Sequence, residues 1–299
     1  MSNNSIRIVE VSPRDGLQNE HTLISSQIKV ELITRLSDAG LKHIEAASFV
    51  SPRAVPQMAD SHQVMQLLPR QKDVIYSALI PNIKGLNAAL DAGVTEVAIF
   101  TAASELFNQK NINCSIADSF ARFKDILEIC QEKNIRVRGY ISTVFNCPYQ
   151  GEISPAQVTY VSRQLIDMGC YEISLGDTIG TGTANKVTRL LQQMRQEMPI
   201  EQIAVHFHDT YGQALTNIYA ALEQGIKVMD SSVAGLGGCP YAKGSSGNVA
   251  TEDVVYLLNG LGLESGIDLT KLVGVGHWIS GQLRRKNTSK TGLAMNLRR

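Results

Sequence analysis

Eight short β-rich runs recur along the chain, at residues 6–11, 43–49, 74–80, 96–101, 137–143, 171–175, 203–208 and 228–233. Segments of helical periodicity separate them, at 28–38, 63–68, 85–92, 116–132, 155–168, 186–197 and 214–224. Strands that alternate with amphipathic helices predict a parallel sheet with crossover helices. Eight such units are the number that closes a (β/α)8 TIM barrel. Gly40, Gly93, Gly169 and Gly225 each follow a helical run, where a left-handed C-cap suits glycine. An open, doubly wound sheet is the alternative, but no Gly-x-Gly-x-x-Gly turn follows the first run. After Asn248 the pattern predicts a helix to Leu258, a turn rich in glycine (Gly260, Gly262, Gly266), a last helix over 269–283 and a basic tail over 284–290. No low-complexity linker interrupts the chain. A single domain is therefore expected over 1–299, with the barrel at about 5–260 and an additional C-terminal helical segment at about 261–299.

Composition narrows the class of partner. Lys plus Arg equals Asp plus Glu at 28 each, so no net charge draws the chain to nucleic acid or to an anionic membrane. No apolar run approaches the ~18 residues that a membrane span needs. Five cysteines, an odd number without metal-type spacing, predict a reducing compartment. Residues 1–5 carry no basic-then-apolar leader, so a cytoplasmic location is expected.

Reactive groups of such barrels gather at the C-terminal ends of the strands. The run Val205-His206-Phe207-His208-Asp209 places two histidines two apart, so both imidazoles face one side of a strand. Two neutral imidazoles joined by the carboxylate of Asp15 and an amide oxygen from Asn248 make a mixed, oxygen-rich set suited to Mg2+ or Mn2+. Strand ends also supply Arg14 and Gln18, then Glu45 and Ser48, then Ser142 and Thr143, then Asp177 and Thr178. For each residue alone the plain reading is a cap or turn. It is a poor account of all of them at once. Arg14 offers a planar fork of donors for a carboxylate or enolate. Cys239 stands in a glycine-dense stretch, 235–248, where a mobile loop is expected to carry a thiol to a ligand.

Four motifs resemble those of the 3-hydroxy-3-methylglutaryl-CoA lyase family. They are Pro13-Arg14-Asp15-Gly16-Leu17-Gln18-Asn19-Glu20, Ser174-Leu175-Gly176-Asp177-Thr178-Ile179-Gly180, His206-Phe207-His208-Asp209-Thr210 and the cysteine stretch from Ser231 to Tyr241. Asp-x-His-x-His barrels also include malate-type synthases and carboxyltransferases, and the cysteine stretch narrows the likeness to the lyases. The resemblance implies divalent-metal-dependent cleavage of 3-hydroxy-3-methylglutaryl-CoA to acetoacetate and acetyl-CoA. It implies Asp15, His206, His208 and Asn248 as metal ligands, and Arg14, Asp15, Glu45, Asp177, His206 and Cys239 as catalytic residues. Arg14, Gln18, Ser48, Ser142 and Lys286 are expected to bind the acyl-CoA substrate. Arg284 stands where the family has asparagine. A homo-oligomer, a dimer, is expected by analogy with barrels of this type. Rival readings are a related synthase, a lyase for a longer 3-hydroxy-acyl-CoA, and a barrel that only binds metal or acyl-CoA.

Overall fold

The β-rich runs pair side by side, all parallel, and close on themselves. A computed structural model describes residues 4–238 and 247–296. Its strands are β1 (Arg7–Glu10), β2 (His43–Ser48), β3 (Ile75–Leu79), β4 (Glu96–Ala102), β5 (Arg136–Ser142), the short pair β6 (Asn146–Cys147) and β7 (Gly151–Glu152), β8 (Glu172–Asp177), β9 (Ile203–Phe207) and β10 (Val228–Ser231). The barrel order is β1-β2-β3-β4-β5-β8-β9-β10, and β1 pairs with β10 to close it. The small antiparallel pair β6–β7 lies outside the barrel sheet.

Helices cover the outside: α1 (Ser26–Asp38), α2 (Ser61–Leu67), α3 (Ile83–Asp91), α4 (Glu105–Ile112), α5 (Ile116–Glu132), α6 (Pro155–Asp167), α7 (Ala184–Met194), α8 (Ala214–Glu223), α9 (Thr251–Gly260), α10 (Leu269–Gln282) and α11 (Lys290–Asn296). Side-chain caps set the starts of six of them. Ser25, Asn82, Ser104, Ser115, Ser154 and Asp268 each accept a backbone N–H of the first turn. Gly40, Gly93, Gly169 and Gly225 all have φ between 75° and 115°, the left-handed C-caps that the sequence predicted.

The apolar core lies mostly between strands and helices, with Leu32, Leu36, Ile99, Ile126, Ile141 and Leu258 fully buried. Inside the barrel the apolar clusters are small: Val9, Val11, Ala204 and Val228 on one side, Leu79, Ala98 and Tyr140 on the other. Charge fills the rest. Arg138 donates from Nε to Glu172 at 2.8 Å and from a terminal nitrogen to Asp230 at 2.8 Å, and all three are buried. A buried charge must be paired to be tolerated, and this interior pairs each one.

The C-terminal segment follows expectation through α10. α10 is not the last helix, as the sequence led one to expect: the basic stretch 284–289 connects it to α11, which begins at Lys290. Asp253 sets that start: it accepts the hydroxyl of Ser289 and the backbone N–H groups of Lys290 and Thr291. Among the described residues, no helix is long and apolar enough to cross a membrane.

Candidate active site

The chain leaves β1 in a single π turn, Ser12–Gly16, with Pro13 in its first positions. This turn swings Arg14 and Asp15 over the C-terminal mouth of the barrel. Gly16 is required there, since a Cβ would sit 2.8 Å from Leu236 Cβ and from Ser232 Oγ. A cavity of about 460 Å³ opens at this mouth, and Arg14, Asp15, Gln18, Ser142, His206 and His208 are in its wall.

His206 and His208 face the same space, as the two-residue spacing predicts, with ring centroids 5.4 Å apart. One ligand atom from each of Asp15, His206 and His208 lies within 4.8 Å of the others, the cluster of metal-ligating type found among the described residues. Two observations fit a cation there. His208 Nδ1 is buried with no hydrogen-bond partner. His206 Nε2 stands 4.0 Å from Asp15 Oδ2, too far for a hydrogen bond and suited to two ligands of one ion. Asn248 joins them: its amide nitrogen donates to Asp15 Oδ2 at 2.8 Å, and its backbone bridges to His208.

The protonation states of His208 and Asp15 suit ligation; burial opposes the His206 charge, but Asp230 and Asp15 raise its pKa. Burial, and then His206, pushes His208 down to about 4, so its ring is neutral. Burial works against the Asp15 charge, but Arg14 and His206 outweigh it and hold the carboxyl below its usual range. His206 Nδ1 lies 3.2 Å from Asp230 Oδ2, leaving Nε2 to face the cavity. Asp230 is itself fixed by Arg138 and by the Ser174 hydroxyl at 2.8 Å. A carboxylate behind a ligating imidazole sets its tautomer and orientation. No sequence motif marked Asp230. The signal was its place at an inward position of β10, in register with His206.

Arg14 is held as a fork. Its Nε donates to Glu45 at 2.6 Å, and a terminal nitrogen donates to Asp15 at 2.5 Å. Burial opposes the guanidinium charge, yet Glu45 and Asp15 more than restore it. Glu45 is fully buried and is not in the cavity wall, so it positions Arg14 from beneath. Gln18 donates to Asp15 at 3.2 Å.

Other expected residues lie elsewhere. Asp177 is not brought to the cavity: it follows the inward Ser174 and Gly176, so alternation turns it outward. There its carboxylate accepts the N–H groups of Thr181 at 3.1 Å and Gly182 at 2.8 Å, and burial pushes it up to about 6. Ser48 is buried off the cavity wall, its backbone N–H and C=O both engaged by the Ser61 hydroxyl. Lys286 is exposed between α10 and α11, outside the wall, on a stretch tied to the barrel rim by the Arg285–Glu20 ion pair. Cys239 lies outside the described residues, although Gly238 just before it is in the cavity wall.

Residues 5–279 match the HMGL-like family model. The chain is 57% identical over 290 residues to a 3-hydroxy-3-isohexenylglutaryl-CoA/hydroxy-methylglutaryl-CoA lyase of Pseudomonas aeruginosa, covering 97% of each. The chain belongs to the hydroxymethylglutaryl-CoA lyase family. The lyase fold agrees with this at full length. The crystal structure of hydroxymethylglutaryl-CoA lyase from Pseudomonas aeruginosa superposes with a TM-score of 0.97 at 55% identity, over 99% of each chain. A lyase of Acinetobacter baumannii, solved with coenzyme A and 3-methylmalate, superposes with a TM-score of 0.94 at 38% identity, over 98% of this chain and 96% of that one.

Proposed function

We propose that the cavity at the barrel mouth cleaves 3-hydroxy-3-methylglutaryl-CoA to acetoacetate and acetyl-CoA with Mg2+ or Mn2+ held by Asp15, His206, His208 and Asn248. One observation carries the reading: a three-ligand cluster sits beside a guanidinium that two carboxylates hold in a fixed fork.

The reaction needs a proton taken from the tertiary hydroxyl and a stabilised enolate on the departing acetyl thioester. Asp15, His206, His208 and Asn248 would hold the dication, which would supply Lewis acidity to the substrate's hydroxyl. The hydroxyl proton goes to the Asp15 carboxylate, which keeps a lone pair beside the ion; His206, the other candidate from the sequence, would have Nδ1 engaged by Asp230 and Nε2 by the ion. Arg14 offers the developing enolate oxygen a charged donor whose direction is already set by Glu45. The enolate carbon then takes a proton, a role assigned to the Cys239 thiol from the sequence. Gln18 and Ser142 in the wall orient the substrate's polar groups. Lys286 is assigned to the CoA phosphates and Ser48 to the substrate from the sequence, and Asp177 acts through the backbone N–H groups of Thr181 and Gly182 that it holds. A homodimer and a cytoplasmic location belong to this proposal; sedimentation and cell fractionation check them.

A second reading extends the first. The cavity wall also contains Val50, Val55, Leu79, Phe100 and Phe107, an apolar face suited to a longer alkyl group at C3. The Pseudomonas aeruginosa relative's name includes a 3-isohexenyl substrate. Incubation with 3-hydroxy-3-methylglutaryl-CoA and Mg2+ should yield acetoacetate and acetyl-CoA in equal amounts. A parallel incubation with the isohexenyl thioester decides the second reading, and failure to cleave 3-hydroxy-3-methylglutaryl-CoA would remove the proposal.

A further inference from the structure

At the opposite end of the barrel, where the strands begin, lies a larger cavity of about 750 Å³. Its wall carries Arg7 of β1, Lys42 and His43 at the start of β2, Arg136 at the start of β5 and Lys227 just before β10. Among the described residues, two carboxylates form ion pairs with these side chains. Glu172 pairs with Arg7 but is shared with the buried Arg138, and Glu96 meets Arg136 at 3.6 Å while also accepting the Tyr171 hydroxyl. Arg7 and Arg136 thus lean on two carboxylates, one of them already committed inward, and Lys42 adds a further cation to the wall. Arg7 Nε is buried and has no acceptor. Burial, and then Arg7, Arg138 and Arg136, presses His43 down to about 3, so positive potential accumulates at this spot. Cations converging in a partly enclosed space favour an anion of more than one charge. Arginine forks match phosphate oxygens, and the cavity size falls within the ~300–1,000 Å³ of ligand pockets. Ile75 and Ile267 add an apolar wall for a body attached to the phosphates.

We propose that this N-terminal cavity binds an oligophosphate, either free or as the phosphate run of a nucleotide. It lies at the end of the barrel away from the proposed acyl-CoA site, and its ligand binds independently of CoA.

The test follows the imidazole resonances of the full chain by NMR. His43 is assigned from the signal missing in His43→Gln. Tripolyphosphate and, separately, ATP are titrated in buffer free of divalent cations, with saturating CoA present. A saturable shift of the His43 signal is expected, with a midpoint below about 1 mM. The Lys42→Gln/Arg136→Gln double variant should weaken binding about tenfold or more. Both side chains are exposed, so an unchanged melting curve verifies the fold of that variant. Tighter binding of ATP assigns a nucleotide, and equal binding assigns the free oligophosphate. The proposal is overturned by an unmoved His43 signal, by an unchanged midpoint in the double variant, or by displacement of either phosphate by CoA.

Discussion

Asp230 does not line the substrate cavity, yet it decides what His206 can do. Its carboxylate holds Nδ1 and so turns Nε2 toward Asp15. Asp230→Asn keeps the shape but offers the imidazole an amide, which lowers ligand basicity and frees the tautomer. Mn2+ affinity should fall about 10–100-fold, the usual cost of losing the partner behind a ligand. Titration of Mn2+ by electron spin resonance checks this, and unchanged affinity would limit Asp230 to pairing Arg138. Arg14→Lys tests the fork at the same scale. Lysine keeps the charge but loses the planar geometry that Glu45 fixes. If Arg14 acts on the enolate, kcat should drop about 10²–10³-fold with little change in KM. An effect confined to KM would make it a ground-state binding residue. The sequence made His206 and His208 legible through strand alternation, and Arg14 and Asp15 through their place just past the end of β1. Asp177 lies off the cavity wall because the same alternation, counted from Gly176, turns it outward. Asp230 stayed hidden because its role depends on cross-strand register, which one sequence does not display.

At the scale of elements, the strands and helices were legible wherever periodicity ran long, and the caps explain why. Short pieces were missed. α4 lies between β4 and α5 with apolar and polar residues mixed around it, so no stripe announces it. α11 forms because Asp253 holds its start from a distant helix. Arg284, noted in the sequence for replacing asparagine, has φ 54° in the turn after α10. Asparagine adopts that left-handed conformation more readily than arginine. Arg284→Asn should therefore stabilise the protein by about 1 kcal/mol, raising Tm by roughly 2 °C for a chain of this size. A lower Tm would show that the arginine side chain contributes more than its backbone strain costs. A second element prediction concerns Glu252 on α9, which accepts the backbone N–H of Ala234 and so holds the turn after β10. Burial, with Glu10 and Asp253 nearby, raises its folded pKa from 4.5 to about 8. The folded chain keeps a proton that the unfolded chain releases, so this group lowers stability as pH rises from 4.5 to about 8. Below that window both states are protonated and the group contributes no slope. Glu252→Gln should flatten the fall in stability between those limits, as read from urea midpoints across pH. An equal slope in the variant would assign the pH dependence to other groups.

Across the whole molecule, the barrel interior is a line of charges more than an apolar plug. Arg7 pairs with Glu172, Glu172 with Arg138, Arg138 with Asp230, and Asp230 with His206. This line joins the strand-start cavity to the ligand cluster at the mouth. Eight alternations in the sequence were enough to expect closure, since each crossover adds one parallel strand. What filled the closed sheet was not legible, because inward charges look like surface residues until their partners on other strands are known. The central claim is that catalysis belongs to the mouth cluster and needs its divalent cation. The most direct measurement is acetoacetate formed from 3-hydroxy-3-methylglutaryl-CoA by protein stripped with a chelator, before and after metal is returned. The account predicts no turnover when stripped and recovery with Mg2+ or Mn2+ in the unsubstituted chain, with His208→Ala folded but not rescued at the same metal concentration. Full activity after exhaustive chelation would contradict it.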